Sequence, residues 1–336
     1  MAVTRADVAR RAGVSPALVS YVLNPGSRPV SASARARIEA AIEELGYRPN
    51  AIAQALRLSS SRSIGLVVPN LTHPIITSLA QSFETVAREH GYVMLTGCTD
   101  GFPEREAEYL RTFLSRSVDA LILISTSSHD AIQAAAATGI PVLVLDRVPV
   151  ELGVSTLTMD ARSGAEAAVR HLIEAHGHSR IACIASVWPL HSHVEERVDG
   201  WRAALQSAGL TVDESLLVRG ETFDQDGGRE AMTQILDGTD ATAIFSTSDI
   251  KAIGALDALR RRKLRVPEDF AIVSFGGSML AELAWPPLTS VDQFLPTVAA
   301  TVMERLLAKM GTGEGQTHDV LPTALVIRES CGCSAG

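Results

Sequence analysis

Two His-x-His pairs, His176-x-His178 and His191-x-His193, and one Cys-Gly-Cys, Cys331 to Cys333, are the side chains here that could hold a metal ion. Neither histidine pair has a cysteine or carboxylate partner at a motif spacing, and the tail cysteines lack the second ligand pair that a four-coordinate zinc site requires. The expectation is therefore no metal, with the tail cysteines as reduced surface thiols. The glycines of Gly311-Thr-Gly-Glu-Gly-Gln lack the Gly-Lys-Ser/Thr ending of a phosphate loop and follow no strand, so they predict a solvated turn. Nucleophile elbow, Walker loop and dinucleotide fingerprint are all missing, so no catalytic residue and no cofactor is expected.

Charge is distributed more informatively. Residues 1 to 62 hold nine arginines, no lysine and only four acids, a net +5 in a chain of 336 residues whose total is −8. A small basic head on an acidic body of −13 points to a nucleic-acid-binding module joined to something else. With 46% hydrophobic residues the chain can bury two or three cores. Mean hydropathy is +0.16, no apolar run reaches a bilayer span, and the first residues carry no apolar signal region. Four sparse cysteines fit a reducing compartment. A cytoplasmic protein without membrane contact is expected.

The elements that position the basic head can be read locally. Thr4-Arg-Ala-Asp7 has capping-box spacing and opens a helix that Gly13 stops. Ser15-Pro16 pairs a capping hydroxyl with proline at the first helical position, starting a second helix that runs to about Leu23. Two short helices around a tight turn, with Val8, Val14, Val19 and Val22 between them, predict a helix-turn-helix whose second helix reads DNA. Ser31 caps a third helix, ended by Gly46, in which Ile38, Ala41, Ile42 and Leu45 recur at helical spacing. Asn50 to Arg57 predicts two further turns, too short to be stable alone, before the serine-rich linker Leu58 to Ser63.

Thr4-x-x-Asp7-Val8-Ala9, Ala12-Gly13-Val14-Ser15, Val19-Ser20, Val22-Leu23-Asn24 and Tyr47-x-Pro49-Asn50-x-x-Ala53-x-x-Leu56 resemble the headpiece and hinge of the lactose-repressor (LacI/GalR) family. The resemblance implies that Thr4, Ser15, Pro16, Ala17, Ser20, Tyr21, Asn24, Asn50, Ala53 and Leu56 meet DNA, with Pro16, Ala17 and Tyr21 at base-reading positions. It also makes Leu56 a wedge in the minor groove.

Beyond the linker, apolar runs at Ile64 to Val68, Val93 to Thr96, Ala120 to Ile124, Val142 to Leu145, Ile181 to Ala185, Ala243 to Phe245 and Ala271 to Phe275 lack alternation. Helical stretches separate most of them, as expected for parallel strands covered on both faces. The fold class is thus α/β: an all-α helix-turn-helix headpiece followed by a two-lobed, doubly wound parallel-sheet body. In such sheets ligands bind past the carboxyl ends of strands, which singles out Asn70 to Ile76, Ser125, Asp146-Arg147, Ser186 to His193, Thr247 to Asp249 and Gly276-Gly277.

The family resemblance continues through Asp160-x-x-x-Gly164, His171-Leu172, Gly177-His178-x-x-Ile181, Glu196-Arg197-x-x-Gly200-Trp201, Asp249-x-x-Ala252-x-Gly254-Ala255, Val266-Pro267 and Pro287-Leu288-Thr289. It implies a body similar to periplasmic sugar-binding proteins, crossed three times by the chain. The expected division is 1–49 headpiece, 50–62 hinge helix and linker, and 63–336 body, with lobe one at 63–160 and 293–322 and lobe two at 161–292 and 323–336. Arg197 matches the family's main effector-binding arginine, Asp146 and Ser248 sit where some relatives contact sugar, and Asp249 matches a family aspartate. The expected effector-binding set is Ile75, Ser125, Asp146, His191, His193, Arg197, Phe223, Ser248, Asp249 and Gly276. Ser274-Phe275-Gly276-Gly277 departs from the Gly-Tyr-Asp of many relatives, and Pro74-Ile75-Ile76 from their aromatic pair. Both departures shift recognition toward Trp188, His191 and His193.

The resemblance implies a transcriptional regulator of repressor type, a homodimer or a tetramer, on near-palindromic double-stranded operator DNA. Its effector would be a sugar, polyol or nucleoside-like molecule. A transport-type sugar-binding protein would share the body but not the basic head. An enzyme on a doubly wound sheet is the other alternative, since fold does not fix function.

Overall fold

The computed structural model describes residues 3–23, 28–48, 60–124, 128–186, 192–313 and 315–334. The hinge residues Asn50, Ala53 and Leu56, and with them Asn24, Ser125, Trp188 and His191, lie outside that set. The chain divides into a unit of residues 1–61 and one of residues 62–336.

The first unit holds α1 (Arg5–Ala12), α2 (Pro16–Leu23) and α3 (Ala32–Leu45). Thr4 and Asp7 close the capping box: the Thr4 hydroxyl accepts from Asp7 N at 3.3 Å, and the Asp7 carboxylate accepts from Thr4 N at 2.9 Å. Gly13 ends α1 in the left-handed region, at φ 65°, where glycine is favoured because it has no Cβ. Val8, Ala9, Ala12, Val19, Ile38 and Ala41 form the small buried core.

The second unit contains two six-stranded sheets. The first runs in the order β11 (His318–Leu321), β5 (Ser155–Met159), β4 (Val142–Leu145), β3 (Ala120–Ile124), β1 (Ser63–Val68), β2 (Val93–Cys98). All its pairings are parallel, with Ile64 facing Ala120 and Leu121 facing Val142. One face is covered by α4 (Pro74–Glu89) and α12 (Leu295–Thr312), and the other by α5 (Pro103–Ser115) and α6 (His129–Ala136). The second sheet has the order β12 (Ala324–Val326), β10 (Thr289–Asp292), β9 (Ala271–Gly276), β8 (Ala243–Ser246), β6 (Ile181–Ser186), β7 (Leu217–Gly220). Its edge strand β12 runs antiparallel to β10, so this sheet is not wholly parallel. Around it lie α7 (Ala161–Glu174), α8 (Ser192–Ser207), α9 (Gln225–Gly238), α10 (Asp249–Arg261) and α11 (Met279–Leu283).

Five of these strands, β5, β7, β10, β11 and β12, escape the apolar-run criterion. Their composition explains it: Ser155, Thr156 and Thr158 are buried in β5, and Thr289 and Ser290 in β10. Four of these hydroxyls have identified partners, Thr156 Oγ1 with His318 Nδ1 at 2.9 Å, Ser155 Oγ accepting from Thr317 N at 3.2 Å, Thr289 Oγ1 with Arg328 O at 3.0 Å and Ser290 Oγ donating to Asp249 at 2.6 Å, which is what makes their burial tolerable. The tail also departs from expectation. It returns along the starts of β9 and β10, where Ser330 Oγ donates to Ile272 O and accepts from Thr289 N. Cys331 is consequently 1% exposed and is not a surface thiol, while Cys333 is half-buried.

Helix packing in the second sheet's layer depends on backbone meeting backbone. A methyl group on Gly254 of α10 would fall 1.9 Å from the Gln225 carbonyl oxygen of α9, and one on Gly228 of α9 would fall 2.2 Å from Lys251 O. The two helices can approach this closely only while both positions lack a Cβ. Gly238, at the end of α9, has nothing within 4 Å. Gly254→Ala should lower the stability of the body by at least about 1–3 kcal/mol, while Gly238→Ala stays within about 1 kcal/mol of wild type, measured by urea unfolding.

Candidate functional site

Ser15, Pro16 and Ala17 at the start of α2 are exposed, and Ser20 and Tyr21 are half-buried one turn later. Arg5 reaches from α1 to α2, its Nη1 donating to Ser20 Oγ at 3.3 Å. Thr4 is exposed, but its hydroxyl is already committed to the capping box. Several arginines are held by acids of the headpiece itself: Arg10 by Asp7, Arg11 by Glu44 at 2.6 Å and Arg35 by Glu39 at 3.6 Å. Such exposed pairs are weak and can be exchanged for phosphate at little cost.

In the body, sheet order reverses at β1, flanked by β2 and β3, and at β6, flanked by β7 and β8. Crevices open past the carboxyl ends of strands at such points. A cavity of about 170 Å³, the size of one small molecule, lies there between the lobes. Lobe one contributes Asn70, His73, Ile75 and Asp100, lobe two His193, Arg197, Phe223 and Ser248, and the segment joining them Gln293 and Leu295. The rings of His73 and Phe223, from opposite lobes, stand 4.8 Å apart at 32°.

Arg197, on α8, is the principal charge. Its Nη1 donates to Thr247 O at 2.8 Å and its guanidinium lies 3.9 Å over the Phe275 ring. Burial draws its pKa down to about 10, against the opposing fields of Asp249 and Glu196, so it remains a cation at neutral pH. Among the described residues, Arg197 Nε, Ser248 Oγ and His193 Nδ1 are buried without a hydrogen-bond partner. Buried polar atoms are nearly always paired, so three unpaired ones on residues lining one cavity set it apart.

Three expected ligand contacts lie elsewhere. Asp146 is buried outside the cavity lining, accepts from Arg147 N at 2.7 Å and faces His193 Nε2 at 3.5 Å. Asp249 sits behind the cavity: its carboxylate accepts from Ser274 Oγ (2.6 Å), Ser278 N (2.8 Å), Ser278 Oγ (2.7 Å) and Ser290 Oγ (2.6 Å). Gly276 is beside it, and a Cβ there would fall 2.4 Å from Asp249 Oδ2, so no acid could stand at 276 without displacing this carboxylate. Both residues position β9 and β10 and do not line the cavity. His193 to Asp146 and Arg147 to Glu196 also link the lobes directly.

Sequence reasoning missed Asp100, Gln293, Leu295 and Phe275 as lining residues. Gln293, whose Nε2 donates to Gly276 O at 3.2 Å, follows a strand too polar to be recognised as one. Phe223 is positioned from below by Lys251, fully buried, whose Nζ donates to Thr222 O at 2.6 Å.

With this geometry, comparison with known proteins is decisive. Residues 4–50 match the model of bacterial regulatory proteins of the lacI family, and residues 169–331 match a periplasmic binding protein-like domain. The regulator DegA of Bacillus subtilis is 34% identical over 98% of this chain and 98% of its own length. The ribose operon repressor of Escherichia coli is 36% identical over 86% of this chain and 88% of its own. The chain belongs to the LacI family. The fold agrees: the lac repressor dimer, solved on operator with an anti-inducer, superposes with a TM-score of 0.86 at 29% identity, covering 98% of this chain and 99% of that one. This LacI-family protein is a DNA-binding transcriptional regulator with an effector-binding body, and its relatives are regulators rather than enzymes.

Two outcomes follow. Asp249→Ala would leave four donors facing no acceptor, and should destabilise the body by about 3 kcal/mol or more in equilibrium unfolding. Burial draws the Lys251 ammonium down to about 8, against Asp224 and Glu230. The unfolded chain keeps that proton to about pH 10, so between these values the unfolded state binds more protons and stability rises with pH. Relative to Lys251→Met, the wild type should gain up to about 3 kcal/mol between pH 7 and pH 10.

Proposed function

We propose that this regulator is a cytoplasmic homodimeric repressor of a near-palindromic operator, controlled by a sugar-like effector held between the lobes. The carrying observation is the set of polar atoms on Arg197, Ser248 and His193 that are unpaired among the described residues, in a cavity also lined by the apolar side chains of Ile75, Phe223 and Leu295. Fixed donors beside apolar faces suit a ring with hydroxyls on its edge and C–H groups on its face. Kinship with the ribose operon repressor favours a sugar or a sugar-containing molecule such as a nucleoside.

On the DNA side, Pro16 and Ala17 lack side-chain hydrogen-bonding groups and read thymine methyls by contact, with Tyr21 alongside. Two headpieces are required for tight binding, because one makes few phosphate contacts. The hinge, with Leu56 as its apolar wedge, folds on the operator and transmits lobe movement to the DNA. A transport-type or enzymatic role has no use for the basic headpiece, so the regulator reading is preferred.

Thermal unfolding against a panel of pentoses, hexoses and nucleosides tests the cleft. A true effector at 100 times its Kd stabilises wild type by about 2.7 kcal/mol, and Arg197→Ala should lose that response while keeping its operator affinity in fluorescence anisotropy. Equal stabilisation of both proteins refutes the role given to Arg197. Ala17→Glu should abolish site preference yet leave the effector response intact.

A further inference from the structure

The returning tail brings Cys331 and Cys333 against the end of α7, where His171 lies in the last helical turn and His176 follows the helix. One ligand atom from each of these four residues lies within 4.8 Å of the others. His171 Nε2 is 3.3 Å from His176 Nε2 and 3.4 Å from Cys331 Sγ, and Cys333 Sγ is 3.6 Å from His171 Nε2 and 3.4 Å from His176 Nε2.

These distances have a chemical meaning. With Zn–N of about 2.05 Å and Zn–S of about 2.3 Å, a tetrahedral zinc ion sets its ligand atoms about 3.3 Å apart for a nitrogen pair and about 3.5 Å apart for nitrogen and sulfur. Each of the four observed separations lies within about 0.2 Å of these edges. We infer that His171, His176, Cys331 and Cys333 form a closed Cys2His2 site for a zinc-class divalent cation.

Local sequence spacing conceals this set. The conspicuous His176-x-His178 pair is not the ligand pair, since His178 Nδ1 bonds Thr242 Oγ1 at 2.9 Å and turns away. The partner of His176 is His171, five residues earlier, and the thiols come from the far end of the chain, Cys333 lying 162 residues after His171.

Two neighbours suit the chemistry. Gly332 adopts φ +108°, and a Cβ there would fall 3.1 Å from His176 Nδ1, so glycine alone lets both flanking thiols converge on the rings. Thr289 Oγ1 lies 3.1 Å from Cys331 Sγ and 3.0 Å from Arg328 O, so its single proton can turn to the sulfur as an outer hydrogen bond of the kind that stabilises a ligating thiolate. Binding replaces two thiol protons with one Zn²⁺, so two protons are released and the site, with two thiolates and two neutral imidazoles, becomes electrically neutral. Four protein ligands leave no open position, which makes the role structural: the ion clips the tail to α7 at the edge of the lobe two sheet.

The test uses untagged full-length protein, stripped with chelator under reducing conditions and titrated with Co²⁺ alone. One equivalent should generate thiolate-to-cobalt charge transfer and the intense d–d bands of tetrahedral cobalt, both bleached by one equivalent of Zn²⁺. Zn²⁺ should also raise the Tm of the stripped protein. Cys333→Ser and His176→Gln should lose the bands and the Tm rise while retaining the wild-type circular dichroism spectrum, whereas His178→Gln should keep both. Only the weak absorption of octahedral cobalt in wild type, unchanged binding in Cys333→Ser and His176→Gln, or two thiols still freely reactive under excess Zn²⁺, would overturn the site.

Discussion

The cleft depends on one buried carboxylate that, among the described residues, has no cation in contact with it. Asp249 is 1% exposed, and its carboxylate is held by hydroxyls and a backbone N–H, with no salt bridge among the described residues. A carboxylate in such a place is costly unless its oxygens are fully occupied. Satisfying it requires Ser274 in β9, Ser278 just beyond it and Ser290 in β10 to converge, which fixes the mouth of the lobe two sheet. Asp249 also favours the protonated state of Arg197 without touching it. It also dictates a glycine at 276, because that volume is taken.

Legibility in the sequence followed range. The headpiece is readable almost residue by residue, because Thr4 with Asp7, Gly13, Ser15-Pro16, Ser31 and Gly46 are local signals acting within one helical turn. The α/β class is equally plain in the unbroken apolar strands such as Ala120–Ile124. What stayed hidden was determined at long range. The hydroxyl-rich β5 and β10 are strands because distant partners satisfy them, and nothing near Thr289 in sequence announces Ser330 or Arg328.

The cleft divides in the same way. His193 and Ser248 could be placed near it as residues following strands, and Arg197 through the family resemblance, and all three line it. Asp146 and Asp249 share those positions yet turn inward, a choice made by neighbours that local sequence does not identify. The thiols of the tail are the extreme case: Cys331 looks terminal and exposed, and is buried because residues 328–333 are held along two strands.

The chain passes between the lobes three times, and the passages are bound to one another. Asp160 N donates to Leu321 O at 2.8 Å, Thr323 Oγ1 donates to Asp160 O at 3.1 Å, and Asp292 pairs with Ala324 across β10 and β12. Mechanically this bundle is an axle. Sliding one lobe along the other would break those bonds together, whereas turning about them needs only small changes in a few dihedrals, so rotation is the soft direction. Displacement then grows with distance from the axle. A contact beside it, such as that of Gln293, can orient a ligand but exerts almost no torque, and the work of opening or closing falls to whatever bridges the lobes farther out.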